Sequence, residues 1–317
     1  MLTESQIKAH YEGIGGSMAS SILGLNPYQS NVDAYLLLTD EDFRREQQKE
    51  LENNLRIKIG NALEDIVASH VMEEKGWVLE KCDETLRDPE FPFLIAHPDR
   101  LIKIDGVLKE GMEIKTRGTF AAREYGEEDS DVLPDSEYIQ DMHYMMVTGF
   151  QRWHSTPLIL GDGVVKYYTV PRNNEMIAHM RAECVRFWNE HVLPRKAPDP
   201  LTYEQASRLW PKSIKKTIIA NSMIVTSTRR LLKVKDAISR LTVIEDKLKC
   251  RIATYMKDND TLIDPNNNKE IVTYKTQSNN RIDVDLLRVK YPAAATECTP
   301  TGKTSRVMRV SKKGGKQ

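Results

Sequence analysis

Residues 95–117 read IAHPDRLIKIDGVLKEGMEIKTR. Aliphatic runs are separated by Asp105-Gly106 and Glu110-Gly111, and this predicts a meander of short strands with turns at those two dipeptides. In the last run, Met112, Ile114 and Thr116 share one strand face, and Glu113 and Lys115 share the other. Glutamate beside lysine is ordinarily a surface salt pair. Pro98-Asp99 changes that balance. Asp99 is expected to end the first strand, and a short meander returns it to the same sheet edge as Glu113. Two hard oxygen donors a few ångströms apart suit Mg²⁺, which commonly takes one or two carboxylates plus waters and phosphate oxygens. On the same face, Lys115 is placed to handle an attacking water and to offset charge on a phosphate.

Upstream of this stretch, GIGGSMASSILGLNPY (13–28) reads as a glycine turn followed by a short helix that stops at Asn26-Pro27. Residues 42–57 are charged and read as an exposed helix or loop. A helix with an apolar stripe from Ile59 to Val71 then runs to Lys75-Gly76, where glycine is a natural terminator. Glu64 lies next to that stripe. Trp77–Leu79 reads as a strand.

Downstream, an acidic loop at 126–137 leads into a helix over 137–149, with Asp135 or Ser136 as its expected cap. On that helix Gln140 and Tyr144 share a face at i and i+4. Two further strands (153–160 and 164–170) and a helix over 176–193 follow. The Pro-rich stretch 194–202 starts a linker. Leu231, Val234, Ile238, Leu241, Leu248, Ile252 and Tyr255 then repeat at three-four spacing, with Glu245 interrupting, as in a long amphipathic helix or coiled-coil arm.

The 317-residue chain is 40% hydrophobic and 29% charged, which is enough for a core and a solvated surface. No apolar run reaches the roughly 18 residues of a membrane span. No secretory leader is visible at the N-terminus, so a cytosolic protein is expected. The four cysteines, Cys82, Cys184, Cys250 and Cys298, lack any C-x-x-C spacing and are expected as buried free thiols. His70, His143, His154, His179 and His191 show no metal-ligand spacing. Trp153, Trp188 and Trp210 are expected in the core rather than as base-stacking platforms. The formal net charge of +0 conceals an asymmetry. Residues 201–317 hold 24 Lys+Arg against 11 Asp+Glu, whereas 1–200 hold 22 against 35. A basic C-terminal third on an acidic body points to a polyanion such as nucleic acid.

The order helix with Glu64, strands with Asp99, Glu113 and Lys115, helix with Gln140 and Tyr144 resembles the PD-(D/E)XK nucleases. More narrowly, the chain is similar to the YqaJ-like viral recombinase, or lambda exonuclease, family. GIGGSMASSILGLNPY, IGNALE (59–64), AHPDRLI (96–102) with GMEIKT (111–116), and YIQDMHYMMVTG (138–149) carry the resemblance across residues 13–149. The stretch 273–292, TYKTQSNNRIDVDLLRVKYP, is similar to the tail of longer members. The resemblance implies an α/β restriction-endonuclease-like core, a mixed central sheet flanked by helices, over 1–195. A linker over 196–222, a basic helical and α+β extension over 223–310 and a disordered tail over 311–317 would follow.

It also implies residue roles. Asp99 and Glu113 would bind metal, with the Ile114 backbone carbonyl as a further ligand and Glu64 as an outer or second-metal ligand. Lys115 would position the water, and Gln140 would hold a phosphate or orient the site. Gly15, Gly16 and Ser17 would hold a 5′ phosphate. His97, Arg117, Arg123 and Tyr144 complete the expected DNA-contacting set. The chain departs from the family at Met18, where an acidic residue usually follows the serine, and the usual upstream basic residue has only Lys8 or His10 to stand for it. The implied activity is a Mg²⁺-dependent 5′→3′ exonuclease on linear double-stranded DNA, with two ions and Mn²⁺ as a substitute. It would leave 3′ tails for a single-strand annealing protein. It would work as a trimeric ring in the cytoplasm of a bacterium hosting a phage or prophage, with no membrane partner. The alternatives are a structure-specific or restriction-like endonuclease on the same fold and a non-catalytic DNA-end binder.

Overall fold

The computed structural model describes residues 11–278, 283–298 and 306–310. Lys8, His10 and the expected tail at 311–317 lie outside them. The described chain divides into two units, 1–209 and 210–317.

In the first unit, α1 (Gly16–Ile22), α2 (Asn31–Thr39), α3 (Glu41–Asn53) and α4 (Leu55–Lys75) precede the sheet. α4 starts earlier than the Ile59 stripe suggests, because Asn54 caps it by accepting from the Arg56 amide. Only the C-terminal part of the stripe is buried: Val67 and Val71 are inside, with Ala68 beside them, while Ile59 and Ile66 face solvent. Gly76 ends the helix in the left-handed region at φ +68°, as its sequence predicts.

The strands are β1 (Val78–Glu80), β2 (Leu86–Arg87), β3 (Ile95–Ala96), β4 (Arg100–Ile104), β5 (Val107–Arg117), β6 (Arg152–Ile159), β7 (Val164–Val165) and β8 (Tyr168–Pro171). The main sheet runs β1-β4-β5-β6-β7, with β8 also on β6. β1, β4 and β5 are antiparallel neighbours, and β5 pairs parallel with β6. A parallel neighbour requires a crossover, and α5 (Asp135–Thr148) supplies it. β2 and β3 form a separate two-stranded ladder.

One expectation about the meander holds and two are corrected. Asp105-Gly106 is a tight turn, with φ of 54° and 79° that match a type I′ hairpin. Glu110-Gly111 is not a turn; β5 runs through it as one strand, with a bulge against β4 at Lys109. Gly111 is there because the Trp153 ring of β6 lies against it, and a Cβ would meet that ring at 2.2 Å. Nor does Asp99 end a strand. It sits in the link between β3 and β4, directly before Arg100.

α5 also differs from its sequence reading. Its N-cap is Pro134, with no side-chain cap, and Asp135 begins the helix. α5 is buried along most of its length, from Glu137 and Ile139 to Val147. It packs between the sheet and the helices α1 and α6 (Asn174–Phe187), in one core with Met142, Met145, Trp153, Tyr168 and Met180. α6 continues into a π-helical turn at Trp188–Val192. Within the stretch expected as linker, α7 (Tyr203–Leu209) belongs to the first unit, with Arg208 paired to the buried Asp33 of α2.

The second unit holds α8 (Ser222–Met256), β9 (Thr261–Ile263), β10 (Glu270–Thr273), α9 (Val284–Lys290) and α10 (Pro292–Glu297). β9 and β10 pair antiparallel. α8 exposes Val234, Ile238, Leu241 and Leu248 of its stripe. Of the cysteines only Cys184 is buried; Cys82 is partly covered, and Cys250 and Cys298 are exposed. Trp153 is fully buried, but Trp210 is 54% exposed and lies outside the core. Among the described residues, no helix is long and apolar enough to cross a membrane.

Candidate active site

β5 carries the centre of the site. Its side chains alternate, yet both faces are covered, so Met112 and Glu113 are both buried. Met112 and Ile114 pack under α4 with Val67 and Val71. Glu113 and Lys115 take the opposite face, toward α5.

On that face Lys115 Nζ lies 2.5 Å from Glu113 Oε1, and Gln140 Nε2 donates to the same oxygen at 2.7 Å. Gln140 Nε2 also meets the Tyr144 hydroxyl at 2.9 Å, and that hydroxyl donates to the His97 carbonyl at 3.2 Å. Tyr144 is therefore occupied inside the protein, where it fixes Gln140. Asp99 is drawn to β5 through its backbone: the Ile114 amide donates to Asp99 Oδ2 at 2.7 Å. Glu113 Oε2 is buried with no hydrogen-bond partner.

The electrostatics match that geometry. The Asp99 carboxyl is held well above its usual range, first by burial and then by the Glu113 charge, with Lys115 opposing. Glu113 is raised by burial, against the pull of Lys115. Burial works against the Lys115 charge, but Glu113, Asp99 and Glu137 outweigh it and hold its pKa above the ordinary lysine value. Glu113 is buried, Asp99 and Lys115 stand partly exposed beside it, and one Glu113 oxygen has no donor. That is the donor set of a hard cation. Among the described residues no group of three or more His, Cys, Asp or Glu is arranged to hold a metal, so the carboxylate set is the Asp99–Glu113 pair.

Glu64 is near enough for its charge to raise Asp99, but its Oε1 receives Arg100 Nη1 at 2.8 Å. Arg100 is 5% exposed and also bonds Asp65, so it ties α4 to the start of β4. The start of α1, with Gly15 as N-cap and Gly16 and Ser17 as its first two residues, reaches the same region. A Cβ on Gly16 would meet Gln140 Cγ at 2.7 Å, so only glycine lets α1 approach α5 this closely. The Ser17 carbonyl accepts from Ser20 Oγ at 2.8 Å and Ser21 Oγ at 3.1 Å. Met18, at the departure from the family, is 1% exposed and belongs to the core.

The remaining expected contacts separate. The buried His97 ring bonds Thr85 Oγ1 at 2.9 Å. Arg117 is committed to Glu137, with Nη2 at 2.6 Å from its carboxylate. Arg123 is exposed on a single 3₁₀ turn, Ala121–Glu124.

Sequence reasoning missed four residues here: Arg100, Glu137, Asp141 and Ser155. Arg100 directly follows Asp99, and Glu137 precedes Gln140 by one turn of α5, so spacing was an available signal for both. The buried Asp141 accepts from Ser155 Oγ at 2.8 Å, and burial pushes its pKa up to about 8. Nothing in its sequence neighbourhood marks it.

Residues 7–151 match the family model described as a YqaJ-like viral recombinase domain. The uncharacterized protein YqaJ of Bacillus subtilis (strain 168) is 29% identical over 288 residues, covering 89% of this chain and 86% of that protein. The crystal structure of LHK-Exo in complex with dAMP is 18% identical, with a TM-score of 0.50, covering 65% of this chain and 97% of that one. A second crystal structure, described as an alkaline exonuclease (LHK-Exo) from Laribacter hongkongensis, is 17% identical with a TM-score of 0.45, covering 66% and 100%. The fold is the mixed α/β fold of the PD-(D/E)XK nucleases. Over residues 7–151, a little under half of its length, the chain is thus similar to the YqaJ-like viral recombinase domain.

Proposed function

We propose that the protein is a Mg²⁺-dependent 5′→3′ exonuclease that degrades one strand of linear double-stranded DNA. The 3′ single-stranded tails left behind serve homologous recombination by strand annealing. The observation that carries this reading is the cluster of Asp99 and Lys115 around the buried Glu113, with Gln140 bonded to Glu113 and an acceptor oxygen left without a donor.

Asp99 and Glu113 would hold divalent ions, Mg²⁺ or Mn²⁺, with the Ile114 carbonyl as a further ligand and Glu64 as the ligand of a second ion after release from Arg100. Support for the carbonyl comes from the Ile114 amide, which points to Asp99; amide and carbonyl of one strand residue share a side. Such ions supply water activation near neutral pH and stabilise charge on the attacked phosphate. Lys115, kept protonated by its carboxylate neighbours, orients the attacking water and offsets the phosphodiester charge. Gln140, whose two amide protons go to Glu113 and Tyr144, orients the site by fixing Glu113. Gly15, Gly16 and Ser17, held against Gln140 by the glycine contact, receive the 5′ phosphate of the strand end.

The substrate is the end of linear duplex DNA, the downstream partner is a single-strand annealing protein, and the working form is a homo-oligomer, a trimeric ring. The test is a linear duplex labelled at either end. With Mg²⁺ the 5′ label leaves first, EDTA stops its release, and closed circles survive. Rapid cutting of circles overturns the exonuclease reading in favour of an endonuclease. Faster attack on 5′-phosphate than on 5′-hydroxyl ends is expected from the Gly15–Ser17 stretch, and equal rates remove it as an end sensor.

A further inference from the structure

Directly beyond β5, the chain does something the nuclease centre does not require. Arg117, at the end of β5, donates through Nε at 3.0 Å and Nη2 at 2.6 Å to Glu137 Oε1. Eight residues later, the Tyr125 hydroxyl is 2.8 Å from Oε1 and 2.6 Å from Oε2 of the same carboxylate. Glu137 is 4% exposed and sits one turn before Gln140 on α5. One buried carboxylate therefore clamps both ends of the segment between Arg117 and Tyr125. The segment is braced again at Thr119, against which a Cβ on Gly161 would lie at 2.1 Å. Inside it, backbone hydrogen bonds from Ala122 to Gly118 and from Arg123 to Phe120 close the 3₁₀ turn.

The clamped segment holds up an aromatic ring. Phe120 is 81% exposed, three residues beyond Arg117, the last residue of β5. The Arg123 guanidinium lies 5.2 Å from the ring centroid, which covers one face and leaves the other open. Exposing a phenylalanine on a segment built this rigidly costs burial energy that an ordinary loop would avoid. Glu124 cancels the charge of Arg123 within the segment, so attraction for phosphate alone does not account for it. A flat, cation-backed aromatic face suits a nucleobase, because bases of any sequence stack on such a surface.

We infer that Phe120, backed by Arg123 and held in place by the Glu137 clamp on Arg117 and Tyr125, is a stacking platform for an unpaired or end-exposed base of the DNA strand engaged at the Asp99–Glu113–Lys115 centre. This rests on the nuclease reading for its ligand. Glu137 is here a positioning residue, and Phe120 is the residue that touches the base. The same chemistry serves the terminal base of a duplex and a base in single-stranded DNA.

The test is a binding cycle in full-length protein, with Ca²⁺ in place of Mg²⁺ to hold back cleavage. Affinity is measured by fluorescence anisotropy for a blunt duplex and for a single-stranded oligonucleotide. Each is used intact and with an abasic site at each of the last two positions of either end. Removing the stacked base weakens binding by wild-type protein by about tenfold. Phe120→Ala loses the same amount on intact DNA and no longer discriminates the abasic ligand, whereas Phe120→Trp restores discrimination. Glu137→Gln reduces discrimination, and Val107→Ala, at the exposed hairpin turn at the other end of β5, leaves it unchanged. The duplex and single-strand arms identify which source of base the platform takes. Phe120→Ala binding every ligand as wild type does, or no abasic effect at any position, overturns the inference. Mg²⁺-dependent cleavage of the same duplex is followed in parallel. Cleavage without base discrimination rejects the platform alone, and base discrimination without cleavage rejects the nuclease reading alone.

Discussion

At the scale of single residues, the site is a set of charges whose burial sets their chemistry. Lys115 has one neighbour within hydrogen-bond reach that matters most, Glu113, and its charge is sustained by three carboxylates. Lys115→Ala is expected to lower DNA cleavage by at least about 100-fold, as loss of a preorganised electrostatic group does, with an unchanged circular dichroism spectrum. Full activity in that variant rejects the proposed role. Asp141 shows the cost of such burial. Its folded-state pKa is raised to about 8, so the folded protein keeps a proton that the unfolded chain releases above about pH 4. The folded state then binds more protons than the unfolded state across this window, and the contribution of Asp141 to stability falls as pH rises from about 4 to 8. Asn at this position can still accept from Ser155 and carries no charge. Asp141→Asn is expected to melt higher than wild type, by a margin that grows from pH 5 to pH 8. A margin that is flat or shrinks over that range rejects the assignment.

At the scale of elements, β5 and α5 hold the site between them. β5 was legible as a strand from its alternation, but its length was not. Gly111 read as a turn because glycine after a polar residue is turn chemistry, and only the facing Trp153 explains it as strand. Gly111→Ala forces a methyl into a fully buried indole and is expected to cost about 2 kcal/mol, in the range of overpacked cores, measured by denaturant unfolding. Arg100 performs a similar joining task between α4 and β4, with a side chain 6% exposed against Glu64 at 12%. Arg100→Ala removes the buried guanidinium that bonds Glu64 and Asp65 and is expected to destabilise by about 3 kcal/mol, as removal of one half of a buried pair does. Wild-type stability in Arg100→Ala would show that Glu64 is held by other means. The α4 stripe misled for a related reason. Periodicity marks which residues could be buried, but the sheet covers only the part of the helix that includes Val67, Ala68 and Val71.

At the scale of the whole molecule, the chain separates after Leu209. The sequence showed a change of charge near residue 200, and proline spacing suggested a linker there. It did not show that α7 belongs to the first unit through Arg208 and Asp33, which lie far apart in the chain. A fragment ending at Leu209 is therefore expected to unfold cooperatively and to retain Mg²⁺-dependent cleavage of linear DNA. Its binding is expected to depend less steeply on salt than that of the full chain, because the basic α8 region and its Lys and Arg side chains are gone. An unchanged salt slope would show that this region does not grip the DNA backbone and would leave partner docking or assembly as its role.

The sequence by itself showed the likeness to the YqaJ-like viral recombinase domain and which side chains share a face, Glu113 with Lys115 on a strand and Gln140 with Tyr144 on a helix, because those spacings are imposed locally. The tertiary structure alone decided how those residues are paired: Glu64 with Arg100, Arg117 and Tyr125 with Glu137, Asp141 with Ser155. It also decided that Glu113 keeps an oxygen with no donor and that Phe120 stays outside. The physical reason is separation along the chain. A local pattern specifies which face a side chain takes, whereas the partner waiting on that face comes from another element, and only packing brings the two together.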